Sequence, residues 1–131
     1  MLIRYLLACR GYLVDPNTNE VALGALVERI ELTDPELAWV GGEFSLAALF
    51  ERTTEEPDEL DVIVSLQGPA TVRQLPFKVR FSGSRRARLA VSFPGIPNEG
   101  PGRYELGVTW ADSEGGSWLI FVPPAKTSPP E

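Results

Sequence analysis

Glycine and proline interrupt this chain so regularly that its apolar runs are only about five to ten residues long. Proline removes a backbone donor, and glycine loses the most conformational freedom on folding, so neither suits a helix interior. Short runs rich in Val, Leu, Ile, Phe and Ala, bounded by turn residues, read as strands. With 131 residues, 12 Gly and 12 Pro, the chain is long enough for one domain with its own core. Its apolar fraction of 44% excludes a disordered tail. The expectation is all-β: an antiparallel β-sandwich of about eight strands, immunoglobulin-like or C2-like. A single domain over 1–122 is followed by a Pro-rich tail over 123–131, extended or disordered.

Alternation within the runs assigns faces. Leu2–Cys9 is a continuous apolar run reaching toward Val14, which suits a strand covered on both faces. Asp15-Pro16-Asn17-Thr18-Asn19 is turn chemistry, and the Val21–Leu32 alternation slips at Gly24, where a bulge fits. Asp34 with Pro35 suits the cap of one helical turn ending at Gly41-Gly42. Phe44, Leu46, Ala48 and Phe50 share a face, as do Leu60, Val62, Val64 and Leu66. Leu75, Phe77, Val79 and Phe81 share another, and Pro76 marks that run as an edge strand or a break. Ser82-Gly83-Ser84 reads as a hairpin tip leading to Ala87, Leu89, Val91 and Phe93. Tyr104, Leu106, Val108 and Trp110 face inward, Asp112–Gly116 turns the chain, and Trp118–Val122 is the last strand. The expected core anchors are Trp110, Trp118, Phe44, Phe77, Phe93 and Tyr104. Pro101-Gly102-Arg103-Tyr104 suits a corner in which the phenol bonds back to its loop.

The chemistry available is narrow. There is no His and one Cys, which excludes His-ligated metals, Ser–His or Cys–His catalysis within the chain, and an internal disulfide. No glycine-rich loop opens a helix for phosphate. The expectation is a chain that is not an enzyme and carries no cofactor; a hydrolase using paired carboxylates is the catalytic option left. Leu6-Leu7-Ala8-Cys9 matches a lipoprotein cleavage box, yet only eight residues precede Cys9 and Arg4 interrupts them, so it reads as a strand with a buried thiol. No run approaches the ~20 apolar residues of a membrane span, and a cytoplasmic protein is expected.

The net charge of -6 argues against a generic nucleic-acid binder. That sum hides a division. From Glu31 to Asp61 there are ten carboxylates and one cation, Arg52. Glu55, Glu56, Asp58, Glu59 and Asp61 are the densest part, suited either to a hard cation or to a solvated loop. From Val62 to Asn98 there is no acid, but Arg73, Lys78, Arg80, Arg85, Arg86 and Arg88 are present. In a hairpin, Lys78, Arg80, Arg86 and Arg88 would form a cationic ladder facing an acidic partner, or would pair with carboxylates of neighbouring strands. Ile63, Leu119 and Phe121 are apolar at outward positions and call for a cover. These features suggest a non-catalytic interaction module. It would bind a protein partner, or self-associate as a homo-oligomer, through a strand edge or an exposed sheet face. The alternative is a C2-like surface binder of an ion or anionic ligand, through the acidic loop or the Arg/Lys ladder.

The opening strand, the Asp15-Pro16-Asn17-Thr18 turn, the Val21–Ile30 strand with Arg29-Ile30, and the Gly100-Pro101-Gly102-Arg103-Tyr104 strand entry form a pattern. It resembles an uncharacterised bacterial family of small single-domain β-sandwich proteins, a domain of unknown function. The likeness covers most of 1–122. It implies the sandwich fold and brings no activity with it.

Overall fold

A computed structural model of the protein describes residues 1–32, 34–53, 55–111 and 113–124. The part of the expected tail from 125 onward lies outside the described residues. In chain order the strands are β1 (Leu2–Cys9), β2 (Tyr12–Val14), β3 (Val21–Leu23), β4 (Trp39–Val40), β5 (Phe44–Glu51), β6 (Glu59–Gln67), β7 (Val72–Arg80), β8 (Arg86–Phe93), β9 (Ile96–Pro97), β10 (Gly102–Trp110) and β11 (Ser113–Val122). The described residues contain no helix, so none is long and apolar enough to cross a membrane. The strands form a three-stranded sheet, β1-β5-β8, a four-stranded sheet, β11-β10-β6-β7, and two ribbons, β2-β3 and β4-β9. Every named pair is antiparallel.

Alternation placed most inward residues correctly. Phe44, Leu46, Ala48 and Phe50 on β5, Val62, Val64 and Leu66 on β6, and Tyr104, Leu106 and Val108 on β10 are buried in one core fed by both larger sheets. Phe44 stacks on Phe93 within the three-stranded sheet, and Phe50 meets the edge of Trp110 across the core. Trp110, Trp118 and Phe77 are only partly buried against that core, not at its centre. Trp118 instead donates its indole N–H to the Val27 carbonyl at 2.7 Å. The Tyr104 hydroxyl donates to the Gly100 carbonyl at 2.8 Å and accepts from the Glu99 amide at 3.0 Å, as expected of the corner.

Four local expectations change. The first strand is not covered on both faces: β1 is an edge strand, and its first half is largely exposed or half-buried. Val21–Leu32 is not one strand. It breaks after Leu23, where a side chain on Gly24 would collide with the Arg10 carbonyl. The following residues run along two edges instead, with the Val27 amide bonded to the Ala8 carbonyl and Ile30 to Phe121. Residues 28–30 thereby cover the outer edge of β11. Asp34 accepts from the Glu36 amide in a turn that starts no helix. Gly115 and Gly116 lie within β11 and not in a turn. Gly115 has φ +65°, at a register shift where any side chain would strike the Val108 carbonyl.

Candidate functional site

The expected cationic ladder does not form. Ser82-Gly83-Ser84 is a turn, but the strands on either side do not pair: β7 joins β6 in the four-stranded sheet and β8 joins β5 in the three-stranded one. Strand alternation is the same for a hairpin and for a crossing between sheets, and here burial on a shared core selects the crossing. Asp58 holds the turn, accepting from the Gly83 amide through its carboxylate and from the Phe81 amide through its carbonyl.

The cations of that stretch meet acids close by. Lys78 pairs with Glu59 at 3.6 Å and reaches Asp61 at 4.0 Å, and Arg80 pairs with Glu59 at 3.2 Å. Arg86 pairs with Glu51 at 3.2 Å, and Arg85 with the same carboxylate at 3.6 Å. Arg88 donates to the side chain and carbonyl of Asn19, tying the β2-β3 hairpin to the three-stranded sheet. Arg4 bonds both oxygens of Glu51, and this, with Arg86, holds the Glu51 carboxyl at about 2.

Four of the five carboxylates of the acidic loop meet partners within the chain. Glu56 accepts from the Met1 ammonium and the Thr53 amide, which together keep its carboxyl below the ordinary range. Asp58 pairs with Arg52 at 2.9 Å, Glu59 and Asp61 face Lys78, and Glu55 is exposed. Among the described residues no three acids stand close enough to hold a metal ion. The concave sites that include Asp61 and Glu31 each contain one carboxylate. Burial pushes the Cys9 thiol up, away from the thiolate a nucleophile needs.

Ile63, Leu119 and Phe121 are exposed as their alternation required, but they are not one surface. Leu119 and Phe121 share β11, whereas Ile63 lies on β6 with β10 between them and Glu105, Gly107 and Ser65 intervening in the register.

A different apolar site lies between β7 and β8. On β6 and β7, Val64 stands opposite Leu75 and both face inward, yet Val64 is 2% exposed and Leu75 is 51% exposed. The difference follows from sheet width. β1 lies over β11, where Ile3 and Leu6 crowd Gly116, and β5 lies over β10, where Phe50 meets Trp110. The four-stranded sheet therefore runs out one strand beyond β8, and of the inward side chains of β7 Val79 stays buried and Phe77 half-buried while Leu75 and Arg73 have no layer above them. The result is a groove floored by Val64, Leu66 and Phe93 and walled by Trp39, Leu75 and Pro94. Arg73 lies on its rim, 5.0 Å over the Trp39 ring, with no carboxylate partner among the described residues.

No protein-family model matches this chain, and no curated protein matches it. The groove was only half legible beforehand. Pro76 marks an edge strand or a break, and β7 is an unbroken edge strand, but Leu75 reads as core and Trp39 carries no signal, because both depend on how far the opposite sheet extends.

Proposed function

We propose that the chain is a non-catalytic interaction module on an immunoglobulin-like β-sandwich, and that a polypeptide partner docks in the groove between β7 and β8. The observation that carries this reading is the exposure of Leu75 at an inward position beside apolar Trp39 and Phe93. A monomeric domain seldom leaves such a row uncovered without a ligand or partner for it. The sandwich type is supported by strand order. Without its short ribbons the chain reads β1, β5, β6, β7, β8, β10, β11; β1-β5-β8 takes the places of strands A, B and E and β11-β10-β6 those of G, F and C, with β7 beside β6 on the second sheet as in variable-type domains. The Tyr104 corner falls at the start of the sixth of these seven strands, its place in that fold.

The test uses a Leu75→Asp variant, which changes an exposed side chain and leaves the core intact. A partner retained from native lysate by the native protein is expected to be lost by Leu75→Asp, with the thermal midpoint unchanged. Equal retention by both proteins would place the interaction elsewhere and refute the reading.

A further inference from the structure

We infer that the partner contributes an extended acidic segment, which lies along the free edge of β8 as a fourth strand, seats an apolar side chain in the groove and meets Arg73 with a carboxylate. This rests on the groove being the docking site and adds the identity of its occupant.

Three observations select that occupant. The first is the choice of edge. Among the described residues β8 pairs only with β5, and no other backbone hydrogen bond reaches Arg86–Phe93. β8 contains no proline, whereas the free edge of β7 is interrupted at Pro76, which has no N–H to donate. A strand added to β8 widens the three-stranded sheet to four and lies opposite β7, covering Leu75, Phe77 and Arg73. Constant-type immunoglobulin sheets carry a fourth strand on that side. Backbone pairing along an exposed edge, with alternate side chains in pockets, is an established way of binding an extended peptide.

The second observation concerns charge. Both strands that bound the groove belong to the acid-free stretch from Val62 to Asn98. Lys78, Arg80, Arg85 and Arg86 are matched by acids from elsewhere in the chain, but Arg73 is not. Its guanidinium carbon lies 5.0 Å over the Trp39 ring, which holds the cation at the mouth of the groove, where its N–H donors can take a carboxylate. The third observation disfavours a second copy. β7 and β8 hold no acid, so pairing with either edge of a second copy would bring Arg73 no carboxylate.

The experiment is selection from a random ten-residue peptide library on three proteins: native, Arg73→Glu and Leu75→Asp. The native protein is expected to enrich extended peptides that combine an apolar residue with Asp or Glu, and a further variant, Arg73→Ala, is expected to bind those peptides about tenfold less tightly. Arg73→Glu is expected to invert the preference toward Lys or Arg, and Leu75→Asp to enrich nothing. Amide hydrogen exchange with a selected peptide bound is expected to slow along β8. Peptides without acids, unaffected by Arg73→Glu but lost with Leu75→Asp, would overturn the acidic segment and leave the groove standing. No enrichment over Leu75→Asp would overturn both. Protection along β7 in place of β8 would overturn the assigned edge, and a dimer that protects β8 in the absence of peptide would make a second copy the occupant.

Discussion

Glu51 meets three guanidiniums with two oxygens. Arg4 reaches it through Nε at 2.7 Å and Nη2 at 3.1 Å, Arg86 through Nε at 3.2 Å, and Arg85 through Nη2 at 3.6 Å. All three stay charged through the acid range, so the carboxylate form is favoured in the folded chain and its pKa falls from the ordinary 4.5 to about 2. A lowered folded-state value stabilises the fold above the unfolded value, and that contribution disappears as pH falls from 4.5 to about 2. Urea titrations across this window are expected to show a smaller loss of stability in Glu51→Gln than in the native protein; identical losses would show that the cluster does not report on folding. Tyr104 offers a second test at one residue. Its hydroxyl serves the Gly100 carbonyl and the Glu99 amide, and the ring is fully buried. Tyr104→Phe keeps the ring and leaves both backbone groups without their partner, at an expected cost of about 1–3 kcal/mol in urea unfolding.

Among the elements, the turn that carries the chain from β7 to β8 decides the architecture, and one side chain braces it. Arg52 donates to the Ser84 carbonyl at 2.9 Å and the Glu56 carbonyl at 3.1 Å, pairs with Asp58 and lies over the Phe81 ring. It was the only cation in an otherwise acidic stretch, and its partners span the two segments that flank β6 and the crossing. Arg52→Met retains the apolar stem but abandons two carbonyls and Asp58. The expected loss is about 2 kcal/mol, read as a lower urea midpoint at unchanged slope. A change of slope would mean that the crossing itself had loosened.

For the whole molecule, the division between an acidic and an acid-free segment does not survive folding as two poles. Glu51, Asp58 and Glu59 from the first segment pair with Arg86, Lys78 and Arg80 of the second or with Arg52, so charges far apart along the chain become neighbours across strands. Arg73 is the cation of the groove left over, and the bare edges of β7 and β8 carry cations alone. Two copies brought edge to edge would therefore leave Arg73 without a carboxylate, and nothing in the charges of these edges favours their pairing. Light scattering after size exclusion is expected to give a monomer at about 50 mM salt; a dimer under that condition would contradict the charge argument.

The amino-acid sequence alone settled the all-β class, the inward faces of β5, β6, β8 and β10 and the Tyr104 corner, and narrowed β7 to an edge strand or a break. Each follows from a local rule: side chains alternate along a strand, proline cannot donate, and a phenol bonds within its own loop. Which strands became neighbours was decided only by tertiary structure. Lys78 and Arg88 looked like members of one ladder because alternation is identical on both arms of a turn, whether or not those arms pair. Leu75 looked like core because its position is inward, and it is exposed because the sheet that faces it ends one strand short.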